Sequence, residues 1–149
     1  MKEQLKRGVD YIAVGVVFFC HDGSGNFVMA KRSQQAKDEQ GRWDLGGGGV
    51  ELHEKLEETL VREVLEEYGS PVLKLEFLGF RDVHRINNGQ KTHWIAFDFK
   101  VLVDRDKVKI CEPHKFTDLK WFTLDALPPE SEQHSQLPAF LKNYRKKLL

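Results

Sequence analysis

Residues 46–70 read GGGGVELHEKLEETLVREVLEEYGS, four glycines running straight into carboxylates set among leucines and valines. Glycine has the freest backbone and loses the most conformational entropy on ordering, so such a run is either a linker or a place where backbone must come very close to something. Trp43, Leu45, Val50 and Leu52 fence the run with strand-like anchors, and no Ser-rich extension follows, which favours an ordered segment. No Gly-Lys-Ser/Thr closes it, so it is not a phosphate-binding P-loop. Over residues 54–68, Leu60, Val61, Val64, Leu65 and Tyr68 recur at helical spacing and predict a helix. Gly69 supplies its left-handed stop, and Pro71 prevents continuation.

Within that helix Glu63, Glu66 and Glu67 stand at i, i+3 and i+4, as neighbours beside the apolar stripe. Like charges at this spacing cost about 0.2–0.5 kcal/mol per pair. They also sit toward the C-terminal end, where the helix dipole disfavours negative charge. A solvated glutamate face is one account. A hard divalent cation is the other, because it takes oxygen ligands and reverses the sign of the repulsion.

The rest of the chain predicts a strand-rich frame. YIAVGVVFFC is β-branched and aromatic, and the turn-rich HDGSGN should fold FVMAKR back on it as a hairpin. The polar SQQAKDEQGR is a surface loop, WDL a short strand before the glycines, and VLKLEFLGFRDVHRI with THWIAFDFKVLV a long antiparallel hairpin turning at NNGQ. LKWFTL is a further strand. In LPAFLKNYRKKLL, Leu137, Phe140, Leu141, Tyr144 and Leu148 form the apolar face of a terminal helix. The layout is mixed α/β, with helices packed on a sheet, and at 149 residues it fits one domain over residues 1–149.

Lys+Arg and Asp+Glu both number 23, a balance that speaks against long nucleic acid as partner. Cys20 and Cys111 form no CxxC pair, which fits reduced thiols in the cytoplasm. MKEQLKRG followed by an apolar run imitates a leader, but the run ends by Cys20, too short to span a bilayer, and no small-residue cleavage site follows.

The spacing Gly48, five residues, Glu54, seven residues, then Arg62-Glu63-Val64-x-Glu66-Glu67-x-Gly69 resembles the Nudix box, G-x5-E-x7-R-E-U-x-E-E-x-G-U with U aliphatic. Only the last position departs, where Ser70 replaces the aliphatic residue. Just outside the specified positions, Gly46 stands where relatives usually have proline, and His53 where glycine commonly precedes the first glutamate. The resemblance implies a Nudix-type α/β/α sandwich with a mixed sheet, a central catalytic helix and a C-terminal helix. It implies hydrolysis of a nucleoside diphosphate-linked compound by water attack at phosphorus, with Mg2+ as cofactor and Mn2+ as the alternative ion.

Carried over by position, Glu63, Glu66 and Glu67 would be metal ligands, with the Gly47 carbonyl completing the shell. Glu54 and Arg62 would form a structural ion pair. The general base would be Glu66 or, on a later loop, Glu112. Gly48 would let the backbone approach phosphate, Arg32 could reach a phosphate, and Trp94, Trp43 or Phe80 could stack on a base. Cys111 and His114 lack the second ligand pair that a structural zinc would need.

The SQPWPFPxS-like array of the NADH-cleaving group is absent, and no proline follows Pro71 until Pro113, so the proline that ADP-ribose hydrolases carry about sixteen positions after the box is missing. The compact chain resembles small members that cleave (d)NTPs or modified NTPs to NMP and pyrophosphate, acting as monomer or homodimer on a small nucleotide with no membrane partner. Dinucleoside polyphosphates, nucleotide sugars and RNA 5′ ends are the alternatives. A non-catalytic nucleotide sensor should have lost box carboxylates, and all four glutamates are present here.

Overall fold

The apolar run near the N-terminus forms β1 (Ala13–His21), whose side chains alternate between two hydrophobic cores: Val16, Phe18 and Cys20 face one, Val17 and Phe19 the other. The structure, a computed structural model, describes residues 4–148. The first three residues of the leader-like stretch and the last residue of the expected terminal helix lie outside the described residues.

The long hairpin is as expected. Strands β5 (Val72–Asn87) and β6 (Gln90–Val103) pair from Val72↔Val103 to Asn87↔Gln90. Asn88 and Gly89 turn between them with φ of 50° and 78°, the positive angles that a tight hairpin turn requires. β6 then runs parallel to β1, from Ala13↔Trp94 to His21↔Leu102.

The first hairpin differs from expectation. β2 (Phe27–Arg32) meets β1 at His21↔Phe27 and pairs along its length with β7 (Phe116–Phe122), while β3 (Trp43–Asp44) pairs with Ala30 and Lys31. The edge of β1 is taken further along by the glycines themselves. Three of them form β4 (Gly47–Gly49), antiparallel to Gly15, Val16 and Val17. The segment expected as a glycine loop is therefore a strand. The seven strands make one mixed sheet of order β3-β2-β1-β6-β5, with β4 on β1 and β7 on β2.

A helix packs on each face. α1 (Leu56–Tyr68) closes the core of Val16, Phe18, Phe99 and Val101, and α2 (Leu137–Leu148) closes the core of Phe19, Phe27, Met29 and Trp43. α1 ends as predicted, at Gly69 with φ 73° and its N–H donating to the Leu65 carbonyl at 2.9 Å.

Its buried stripe keeps Leu60, Val64 and Tyr68 of the predicted one but not Val61 and Leu65. Val61 and Leu65 are exposed at 44% and 54%, and the inward residues are Thr59, Leu60, Val64, Glu67 and Tyr68. At about 100° per residue Glu67 lies within about 20° of Leu60 on the helix wheel, inside the apolar face rather than beside it. Leu52, expected as an anchor, is exposed, and Trp43, expected as a base-stacking candidate, is a core residue packed edge-on against Phe122.

Each departure from the family pattern has a local reason. Gly46 adopts φ 117°, which proline cannot reach, and its carbonyl accepts from Phe18 N–H. A Cβ there would strike the Phe18 ring and lie 2.8 Å from Glu67 Oε2. His53 holds φ 70°, the left-handed region that glycine takes more cheaply. Ser70 is buried with its hydroxyl satisfied, accepting from Asp104 N–H at 2.9 Å and donating to the Pro71 carbonyl at 2.8 Å. Gly46→Ala is expected to destabilise the fold by roughly 2 kcal/mol or more in chemical denaturation, from strained φ and steric overlap together.

Candidate active site

Tyr68 and Gly46 bring the helix and the glycine strand together. Tyr68, buried on α1, donates its hydroxyl to the Leu45 carbonyl at 2.7 Å and so ties the helix to the residue before the glycines. Gly48 then lies so close to the Glu63 side chain that any Cβ would overlap it. Gly46 carbonyl and Val50 N–H both bond toward β1, so strand alternation turns the Gly47 carbonyl away from β1.

Arg62 organises the carboxylates. Its Nε and Nη2 donate to Glu54 at 2.8 and 2.9 Å, and its Nη1 reaches Glu63 at 2.9 Å and Glu66 at 3.4 Å. Thr59 adds a hydroxyl donor to Glu54 at 2.6 Å. The Arg62 and Thr59 hydrogen bonds lower the Glu54 carboxyl to about 2. The Glu54–Arg62 pair expected from the box is present, and the same guanidinium also neutralises Glu63 and Glu66.

Glu67 is treated differently. It is 5% exposed, and its Oε2 is buried with no hydrogen-bond partner among the described residues. Burial pushes its carboxyl well above the usual range, and the charges of Asp44, Glu63 and Glu112 push it further. Glu63 is also raised, by burial against the pull of Arg62. An orphaned buried carboxylate oxygen among other carboxylates, beside glycines whose Cβ positions would fill the adjoining space, suits a divalent cation held by oxygen ligands.

Glu112 comes to this cluster through the end of α1. Lys109 N–H donates to the Tyr68 carbonyl at 3.0 Å and Cys111 N–H to the Glu67 carbonyl at 3.3 Å, which sets Glu112 close enough to act on Glu67. Its carboxylate is paired with Lys115 at 3.3 Å. His114 is exposed, with its carbonyl accepting from Ser33 Oγ.

A cavity of about 380 Å³ opens on the α2 side of the sheet. Glu67, Gly47, Gly48, Arg32 and Trp94 all line it, whereas Glu63, Glu66 and Glu112 are not among its lining residues. Arg32 is bound to Asp38 at 2.8 Å and to Asp44 at 3.2 Å. Trp94 is half-buried, with Gly8 and Gly15 against its ring and the Arg7 guanidinium 5.8 Å from its centroid. Phe80 stands on the other face of β5, outside the cavity.

The sequence reading did not single out Asp44, Lys37, Arg81, Arg85 or His134, which also line the space. Strand alternation puts Arg81, Val83 and Arg85 on one face of β5, a pattern visible in the sequence once the strand is placed. Arg85 pairs with Asp38 and Glu39, both at 3.0 Å, and Glu39 also accepts from Ser135, so the loop over residues 33–42 is fastened across the cavity.

The α/β/α frame is shared with solved Nudix structures. The MutT NUDIX hydrolase of Burkholderia pseudomallei superimposes with a TM-score of 0.77 at 27% identity, covering 89% of this chain and 98% of that one. The MutT protein of Methanosarcina mazei Go1 gives 0.70 at 25% identity, covering 91% and 94%. The NUDIX domain model matches residues 11–144, and the chain belongs to the Nudix family.

Among curated proteins, the nucleoside triphosphatase NudI of Salmonella agona is 33% identical over 106 residues, 65% of this chain and 72% of that protein. The NAD-capped RNA hydrolase NudC of Pseudomonas aeruginosa is 33% identical over 114 residues, 74% of this chain, and the chain spans 37% of its length. Nudix hydrolases generally use divalent metals. No helix among the described residues is long and apolar enough to cross a membrane.

Two stability effects follow from the opposite shifts of Glu67 and Glu54. A raised native value favours the protonated fold, so Glu67 weakens the protein progressively as pH climbs above its ordinary 4.5. Glu67→Gln is therefore expected to raise the unfolding temperature relative to wild type in chelator, by more at pH 8 than at pH 5. Glu54 has the reverse sign: its pairing stabilises above pH 4.5 and is lost as pH falls toward about 2. Arg62→Ala should lower the unfolding temperature at neutral pH, and calorimetry should find the gap to wild type closing as the solution is acidified.

Proposed function

We propose that this protein hydrolyses nucleoside triphosphates, including modified ones, to the monophosphate and pyrophosphate with Mg2+, as a single Nudix domain in the cytoplasm. The observation that carries the reading is the unpartnered Glu67 Oε2 at the wall of a cavity large enough for a small ligand. The similarity to the nucleoside triphosphatase NudI supports the substrate class. Cys20 and Cys111, both free thiols, are compatible with a reducing compartment.

In this reading Glu63, Glu66, Glu67 and the Gly47 carbonyl hold the metal. A bound divalent cation supplies charge neutralisation at the phosphates and acidifies water. Arg62 orients Glu63 and Glu66 through its hydrogen bonds. Gly48, lacking a side chain, lets Glu63 lie directly against the glycine strand. Arg32 and Lys37 at the cavity meet phosphate charge, and the apolar wall of Val83, Trp94, Ala96 and Leu137 takes the nucleoside. Glu112 accepts the proton of the attacking water, since Glu66 would already be occupied as a metal ligand in this reading.

The similarity to NudC brings NAD-capped RNA into the test as the second reading. A panel of (d)NTPs, modified NTPs, dinucleoside polyphosphates, nucleotide sugars, NAD+ and NAD-capped RNA, scored by product, decides between them. Release of pyrophosphate from triphosphates is expected to exceed all other turnover. Glu67→Gln should abolish nearly all activity, and near-normal rates in that variant would overturn the site. Glu112→Gln is expected to slow turnover by about 10²-fold or more. Should Glu66→Gln show the loss of a proton acceptor in its pH–rate profile instead, the role passes to Glu66.

A further inference from the structure

On the face of the β5–β6 hairpin turned away from the cavity, Asp82, His84 and His93 present three ligand atoms that all lie within 4.8 Å of one another. His84 and His93 are directly opposed in the ladder, and their rings stack with centroids 4.0 Å apart. Asp82, two residues before His84 on the same face, already has Oδ1 3.0 Å from His93 Nε2.

We propose that Asp82, His84 and His93 form a second metal site, selective for a borderline cation of the Zn2+ class and separate from the carboxylates of α1. Two imidazoles and one carboxylate suit Zn2+, Ni2+ or Co2+, whereas the all-oxygen set on α1 suits Mg2+ or Mn2+. Tetrahedral ligation at about 2.0–2.1 Å places ligand atoms roughly 3.3 Å apart. The Asp82–His93 pair, at 3.0 Å, is within a few tenths of an ångström of that separation, and His84 closes the set by rotating its exposed side chain. The fourth position faces solvent and takes water.

The backbone beneath the ligands is held on both sides. β5 and β6 pair at His84↔His93, and His93 N–H donates to the Gly8 carbonyl at 2.8 Å. Between the two ligand-bearing ladder positions lies the pair Val83↔Trp94, whose side chains point the other way and line the cavity. A cation on the outer face would clip the two strands together directly behind that wall.

The test is Zn2+ uptake by the whole protein in excess Mg2+, measured by equilibrium dialysis and by the absorption spectrum of a Co2+ substitute. Wild type and Glu67→Gln are both expected to bind about one Zn2+ per chain and to give the intense visible bands of four-coordinate Co2+. The double variant His84→Ala, His93→Ala should lose that ion, and Asp82→Asn should bind it more weakly while folding normally. Zn2+ should raise the unfolding temperature of wild type and leave that of the double variant unchanged. No uptake by wild type, full uptake by the double variant, or loss in Glu67→Gln alone would each overturn the site.

Discussion

The guanidinium of Arg62 lets α1 carry glutamates on successive turns. Without it, Glu63 and Glu66 would repel each other and the C-terminal end of their own helix. With it, both carboxylates and Glu54 share one cation at hydrogen-bond distance. That arrangement fixes where the segment before the helix must lie, because Glu54 belongs to it and reaches Arg62 only when the chain doubles back. The glycine strand follows from the same constraint, since Gly48 has to pass against Glu63 with nothing larger than hydrogen.

Glu67 is the exception that Arg62 does not reach. It occupies the apolar face, beside Leu60 and Val64, where a residue chosen for packing would be aliphatic. Its burial weakens the fold, and strong packing around it offsets that: Tyr68 against Phe18, the Tyr68 hydroxyl on Leu45, and a core filled from β1, β2 and β6. On the other face of the sheet a second buried charge is fully partnered. Asp98 accepts from Arg81 at 2.7 and 2.9 Å and from the Tyr144 hydroxyl at 2.7 Å, locking α2 to the hairpin. The contrast separates a structural carboxylate, whose donors are all provided, from one kept in want of a partner.

Much of this was legible before any coordinates. The β5–β6 hairpin announced itself through length, alternation and the Asn-Gly turn, and the end of α1 through Gly69 and Pro71. The Glu54–Arg62 pair was implied by the resemblance to the Nudix box. What escaped the sequence depended on tertiary partners. Four glycines carry no strand propensity, so β4 exists because β1 offers an edge there. Val61 and Leu65 have the right period for a core and are exposed, because the sheet meets the helix about a quarter-turn away, where Glu67 sits. The loop over residues 33–42 was legible as a loop, but its fastening by Arg85, Glu39 and Ser135 was not, since those contacts join residues from distant parts of the chain.

The cavity walls run from Gly15 on β1 to Phe140 on α2, and β1 is flanked by a parallel strand that begins about eighty residues later. Parallel neighbours and long loops of this kind make for high contact order and slow nucleation. During synthesis, then, β1 waits for its parallel neighbour until about eighty further residues have been made. A nascent fragment cannot present half a pocket, and the interval before β6 arrives is when the protein is most exposed to misassociation and to chaperone capture.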